Sequence, residues 1–182
     1  MRIHPLVTVR VPSPNHYAGG LDPEIIVLHD TESSDAGGDA DLRGVAGYFT
    51  ESSTQASAHV IVNAAGHSAR CVRDVDAAWH VEAFNGVALG IEQIGFATLG
   101  ARGWLRRRRQ LHETARWIAY WHRRHAIPIR EAKVDTATAG VVESGVTMHK
   151  RLGLIGGGHS DPGPYPLKRV LRWARFYNAL LR

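Results

Sequence analysis

Six residues, EIIVLH from Glu24 to His29, set the firmest limit on what this chain can fold into. The run is short, compactly apolar and rich in β-branched side chains, which marks a buried strand, and the polar stretch DTESSDAGGDAD after it reads as a loop. SGVTMH (Ser144–His149) is a second strand candidate that also ends in histidine. GVALGIEQIGFA reads as another buried strand, with Glu92 its one charged residue, and SAHVIVNAAGHSARCVRD reads as two strands joined by a turn at NAAG. Between and after these lie helical patterns. LRGVAGYFTESS is a short helix, Trp104 to His125 a longer one closed off before Pro128, and LKRVLRWARFYNALLR a terminal amphipathic helix. Strands alternating with helices predict an α/β fold, a central mixed β-sheet flanked by α-helices, as a single domain over residues 1–182.

Composition narrows the function. At 182 residues, 44% hydrophobic and 21% charged, the chain has the makeup of one soluble globular domain, and no apolar run is long enough to span a membrane. A single cysteine, Cys71, excludes an intramolecular disulfide and any multi-thiolate zinc cage. The net charge of +5 points to an anionic partner, with nucleic acid, membrane and acidic cell-wall polymer as the classes to weigh. Arg106–Arg109 concentrates that charge where a helix opens; the run reads first as a solvated helix face and second as a binding patch. No nucleic-acid-binding signature accompanies it, so nucleic acid is set aside.

Catalytic groups gather where strands give way to loops. His29 and His149 occupy such places, and GGGHSDPGPYP (Gly156–Pro166) adds His159 and Asp161, two positions apart and able to face the same side of an extended segment. Its glycines permit close backbone approach and its prolines restrict φ, so the stretch is either a rigid surface loop or one wall of a metal or catalytic site. Two imidazoles and a carboxylate from distant parts of the chain make the three-protein-ligand set of a catalytic zinc, with one position left for water. Each histidine alone reads as a core or loop residue; the set carries the argument.

Taken in order, IIVLHDT, SAHVIVNAAG, AAWHV, ALGIEQIG and HSDPGPYP resemble the motifs of zinc-dependent N-acetylmuramoyl-L-alanine amidases, the group that includes phage-lysozyme-like amidases and the peptidoglycan recognition proteins. The likeness runs from about Ile25 to Pro166. It implies that His29, His149 and Asp161 bind Zn²⁺, that Glu92 serves the metal-bound water as a proton acceptor or orienting group, and that Trp79 and His80 line the groove for bacterial peptidoglycan. Core packing is the rival role for Trp79. Three departures stand out. His159 replaces a lysine common among relatives, MHKR replaces a motif close to GHRD around His149, and Ala58 replaces a tyrosine that precedes the second-strand histidine; His59 itself reads as structural.

The implied reaction is attack of water on the lactyl carbonyl of N-acetylmuramic acid in its amide bond to L-alanine, with zinc polarising the carbonyl and His159 donating a hydrogen bond or proton as the tetrahedral intermediate forms and collapses. Two rival readings are a non-catalytic peptidoglycan-binding module of the same fold and a cell-wall cysteine peptidase using Cys71; the complete ligand set weighs against the first. The mid-strand position of Cys71, away from a helix N-terminus, weighs against the second. The N-terminus has no secretory signal pattern, so the expected setting is a phage endolysin, or a catalytic domain excised from a longer lysin, made in the host cytoplasm and reaching the wall through a holin pore. The protein is expected to act as a monomer, without stable membrane insertion.

Overall fold

A computed structural model describes residues 2–181. Strand β1 (Val7–Arg10) is followed by β2 (His16–Tyr17), β3 (Ile25–Asp30), helix α1 (Asp39–Tyr48), β4 (Val60–Val62), β5 (Ser68–Arg70), β6 (Ala77–Ala78) and β7 (Ala88–Gln93). Helices α2 (Gly100–Arg106) and α3 (Arg108–His125) precede β8 (Lys133–Asp135), β9 (Gly140–Glu143), β10 (Gly145–Met148) and α4 (Leu167–Leu180). Six strands form one sheet in the order β1-β5-β4-β7-β3-β10, parallel throughout except for the β4–β5 hairpin. The mixed sheet with flanking helices expected from the strand and helix patterns is therefore present, in a single domain.

The two-residue period of a strand decides what each face of the sheet does. Ile26, Leu28, Leu89, Ile91, Val60 and Val62 pack with Trp104, Leu111, Ile118 and Trp121 of α2 and α3 and with Val170 and Leu171 of α4. Trp104 and Trp121 are fully buried there; each large apolar side chain withdrawn from water contributes about 1.5–3 kcal/mol. The alternate residues face the other way. Ile61 and Ala69 meet Leu42 and Ala46 of α1, and Ile25, Val27 and Ala88 meet Val81, Phe84 and Leu152. His29 pairs in register with Glu92 across β3 and β7, so both side chains emerge on this second face, away from α3 and α4.

Two local expectations need correction. The long helix does not run unbroken from Trp104: the chain is helical from Gly100, breaks at Arg107 (φ −85°, ψ 50°), and resumes at Arg108. The break turns the Arg107 guanidinium inward, where Nη1 donates to the Ile94 carbonyl (2.7 Å) and lies 3.2 Å from Asp35 Oδ2. Cys71 lies just past the end of β5, not in mid-strand, and is buried. Strand β1 and the β8–β9 hairpin went unread because they are short and mostly half-exposed, without an apolar run.

Candidate active site

Strand β3 carries His29 near its C-terminal end, with Asp30 beyond it, and His149 is the first residue after β10, the neighbouring parallel strand. The loop after Gly156 returns across both and delivers Asp161. His29 Nδ1 lies 3.0 Å from His149 Nδ1. Asp161 closes the triangle, with Oδ2 3.3 Å from His29 Nδ1 and Oδ1 3.1 Å from His149 Nδ1. All three residues are buried, and among the described residues they form the one group of His, Cys, Asp or Glu side chains compact enough to hold a metal ion.

Hydrogen bonds behind the rings fix where the protons sit. His80 Nε2 lies 3.1 Å from the Ala88 carbonyl, which can only accept, so His80 carries its proton on Nε2 and its Nδ1 accepts. That Nδ1 is 2.9 Å from His29 Nε2, which must therefore be the protonated nitrogen of His29. His149 Nε2 donates to the Gly156 carbonyl at 2.7 Å. In the neutral rings both Nδ1 atoms then present lone pairs to each other and to a carboxylate, an arrangement of acceptors with no proton between them. Outer partners that set the tautomer of a ligating histidine in this way are what a metal centre requires. Tetrahedral Zn²⁺ with ligands at about 2.0–2.2 Å sets its donor atoms about 3.3–3.6 Å apart; the separations here, 3.0, 3.1 and 3.3 Å, reach the lower end of that range or fall just short of it.

The electrostatics of the cleft favour a bound cation. Burial lowers the His29 pKa to about 4 and keeps the ring neutral. Burial, with Asp161 and Asp30 close by, pushes Glu92 well above its ordinary value, and burial raises Asp30 to about 7. Glu92 Oε2 and Asp30 Oδ2 are buried without a hydrogen-bond partner. A divalent cation at the triad would offset this concentration of carboxylates.

These groups line an open cavity of about 440 Å³. His159 stands at its rim with 62% of its side chain exposed; its ring stacks on His149 at 4.4 Å, and its Nδ1 is 3.8 Å from Asp161 Oδ1, beyond hydrogen-bonding reach. Trp79 lines the wall beside Tyr17, with ring centroids 5.2 Å apart and its Nε1 buried without a partner. His80 lines the cavity too, while bracing His29 from behind. Tyr48 and Phe49 contribute an aromatic edge, and among the described residues neither lysine nor arginine lines the cavity.

One support carries no signal in the sequence. Asn85 Oδ1 accepts from the backbone N–H of His80 and Val81 (2.9 and 2.8 Å) and fixes the turn that aims His80. His59, whose structural reading fits its contacts, donates from Nε2 to the Asp76 carbonyl and accepts the Gly90 N–H on Nδ1, both at 3.0 Å. Asp30 was legible in principle, as a charge ending an apolar strand, by the same logic that singled out Glu92. Cys71 does not face the cavity, and burial pushes its thiol up to about 12.

A two-sided α/β domain with a His–His–Asp donor triad at the strand ends, set in an open polar cleft, has the layout of a hydrolase. The family model described as N-acetylmuramoyl-L-alanine amidase matches residues 19–164, and the chain belongs to that family. Solved structures agree on the fold. The hydrolase AmiA of Staphylococcus aureus, in complex with its ligand, is 18% identical, with 95% of this chain and 83% of that one covered at a TM-score of 0.65. The Ph2119 endolysin of the Thermus scotoductus MAT2119 bacteriophage Ph2119 is 15% identical, covering 91% and 97%, at 0.62. The amidase LysC of Clostridium intestinale URNW is 14% identical, covering 89% and 93%, at 0.60. No curated protein sequence matches the chain.

Proposed function

We propose that this protein is a zinc-dependent amidase that hydrolyses the bond between N-acetylmuramic acid and L-alanine in bacterial peptidoglycan, and that it works as the lytic enzyme or lytic domain of a bacteriophage. The observation that carries the reading is the convergence of two lone-pair Nδ1 atoms and one carboxylate on a single point in an open cleft. His29, His149 and Asp161 would hold the ion. Bound there, Zn²⁺ supplies Lewis acidity toward the scissile carbonyl and brings the pKa of water to about 7.

The remaining steps fall to side chains. Glu92 Oε2, free of any partner, takes the proton released as water adds to the lactyl carbonyl carbon. His159, the one exposed imidazole at the rim, donates a hydrogen bond to the oxygen that gains charge, or a proton to the departing L-alanine nitrogen when the C–N bond breaks. Trp79 and Tyr17 offer flat aromatic surfaces for sugar and peptide, and His80 keeps His29 in its ligating tautomer.

Metal analysis of the purified protein, paired with mass spectrometry of digested peptidoglycan, tests the cofactor and the bond together. The expected result is one zinc per chain and intact stem peptides with new L-alanine amino termini. New reducing sugar ends without such termini would refute the amidase reading. Asp161→Ala should lose zinc, and His159→Ala should keep it with kcat lowered about 10²–10³-fold; the opposite pattern of metal content would make His159 the ligand and Asp161 its orienting partner.

A further inference from the structure

The two sides of the molecule divide its charge. Residues 100–125 and 167–180, which hold α2, α3 and α4, carry twelve of the 22 Lys and Arg but one of the 17 Asp and Glu, Glu113. That part of the chain stands at +11, whereas the rest holds ten cations against sixteen acids and includes the cleft. Glu113 is buried and taken up by Arg2 (2.7 Å) and Arg116 (3.2 Å), so it does not interrupt the cationic surface. The helices cover the sheet face opposite the one from which His29 and Glu92 emerge. The basic face therefore lies on the far side from the cleft.

A concavity of about 420 Å³ opens between the start of α3, the β4–β5 turn and α4, and its lining includes Arg2, Arg108, Arg109, His112, Arg116 and Tyr177. His112 stacks on Trp173 at 4.1 Å, and the Arg169 guanidinium lies 6.0 Å from the same indole, which ties the cations of α3 to those of α4. Arg106, Arg108, Arg109, Lys168 and Arg172 are exposed and have no ion-pair partner among the described residues. Lys168 and Arg172 stand four apart, as do Arg102 and Arg106, a spacing at which like charges destabilise a helix. This arrangement weakens the fold, so charge on this face serves something other than stability.

We infer that this face is a docking surface for a phosphodiester-rich anionic polymer of the cell wall, engaged while the cleft on the other side works on the glycan and its peptide. The guanidinium fork matches phosphate oxygens in pairs, and the concavity offers a phosphodiester unit the forks of Arg108 and Arg109, with Arg2 and Arg116 already turned to Glu113. A lipid surface fits less well: among the described residues the large apolar side chains exposed on these helices are Leu105, Phe176 and Leu180, fewer than the apolar face with which an interfacial helix enters a bilayer. Taking the wall as the source of the polymer rests on the amidase reading; the cationic face does not.

The test is a sedimentation assay with the intact protein and purified cell walls, either native or stripped of phosphodiester polymers by acid, alongside phosphatidylglycerol vesicles. Native walls should bind more tightly than stripped ones, and added salt should remove the difference. The fourfold variant Arg106→Gln, Arg108→Gln, Lys168→Gln and Arg172→Gln should lose about tenfold in affinity for native walls, since each exposed contact is worth a fraction of a tenfold step. Its cleavage of stripped walls should match wild type, which separates failure of this inference from failure of the amidase reading. Equal binding to native and stripped walls, or wild-type binding by the variant, would overturn the proposal. Tighter binding to the vesicles than to native walls would also overturn it, in favour of a membrane surface.

Discussion

Gly90 is the position where a single methyl group should reach the candidate metal site through two intermediaries. A Cβ built there would lie 2.8 Å from both Cε1 and Nδ1 of His80 and 3.1 Å from its Cγ, whereas carbon atoms in contact prefer about 3.5–4.0 Å. The ring would have to retreat by roughly 0.7 Å or more. It is held by the 2.9 Å bond to His29 Nε2 and the 3.1 Å bond to the Ala88 carbonyl, so retreat weakens both. Overpacking costs about 1–3 kcal/mol, and the two hydrogen bonds add about 0.5–1.5 kcal/mol each. For Gly90→Ala we expect a loss of about 2–6 kcal/mol and a fall in Tm of at least about 4 °C. The loosened His29 should lower zinc affinity about 10–100-fold, the usual effect of losing an outer partner of a ligating histidine. Chelator competition reads the affinity, and thermal unfolding of the metal-free protein reads the stability. In a His80→Ala background the clash has no ring to meet, so adding Gly90→Ala should then cost little on either measure. Unchanged zinc affinity in Gly90→Ala, or an equal cost with and without His80, would refute this chain of contacts.

Three further outcomes follow from individual environments. Glu92→Gln should keep the metal and the fold while lowering kcat about 10²–10⁴-fold, and a near-native kcat would remove Glu92 from proton transfer. His59 is fully buried, and desolvation lowers its pKa from 6.5 to about 4. The unfolded chain therefore binds the proton first, so the stability tied to neutral His59 is complete above pH 6.5 and lost as pH falls toward 4, by about 3 kcal/mol. Urea midpoints across that range, compared between wild type and His59→Gln, measure it, and identical acid sensitivity in the two would contradict the assignment. Cys71, its thiol pushed up to about 12 by burial, should resist a thiol reagent at pH 8 in the native state, and Cys71→Ala should retain full activity; loss of activity in a folded Cys71→Ala protein would revive the cysteine-peptidase reading.

Much of the fold could be read from local pattern because the elements that matter most carry unambiguous signals. EIIVLH and the strand around Glu92 are apolar enough to be buried wherever they sit, and α3 and α4 have their apolar residues on one side. Short strands such as β1 and β8 give no such signal: with three or four half-exposed residues, their pairing depends on a partner that sequence does not identify. The break at Arg107 was hidden for the same reason, since it exists to bring a guanidinium to Ile94 and Asp35, neither of which is a helical neighbour.

For the candidate site the division is sharper. The sequence by itself determined which residues could act: two histidines at strand ends, a lone glutamate in an apolar strand, and a histidine and aspartate in a loop of glycines and prolines. Those are properties of composition and spacing along the chain. Only the tertiary structure decided that His29 and His149 turn their Nδ1 atoms toward each other and toward Asp161, because the tautomers are set by His80 and the Gly156 carbonyl, which reach them from 51 and 7 residues away. It likewise decided that His159 stands at the rim while Asp161 enters the triad, and that the arginines of α2 and α3 join those of α4 on the face turned away from the cleft. A strand fixes which side of the sheet a residue faces, but the direction of a ring nitrogen and the sum of charges on a surface are set by groups that meet only when the chain has folded.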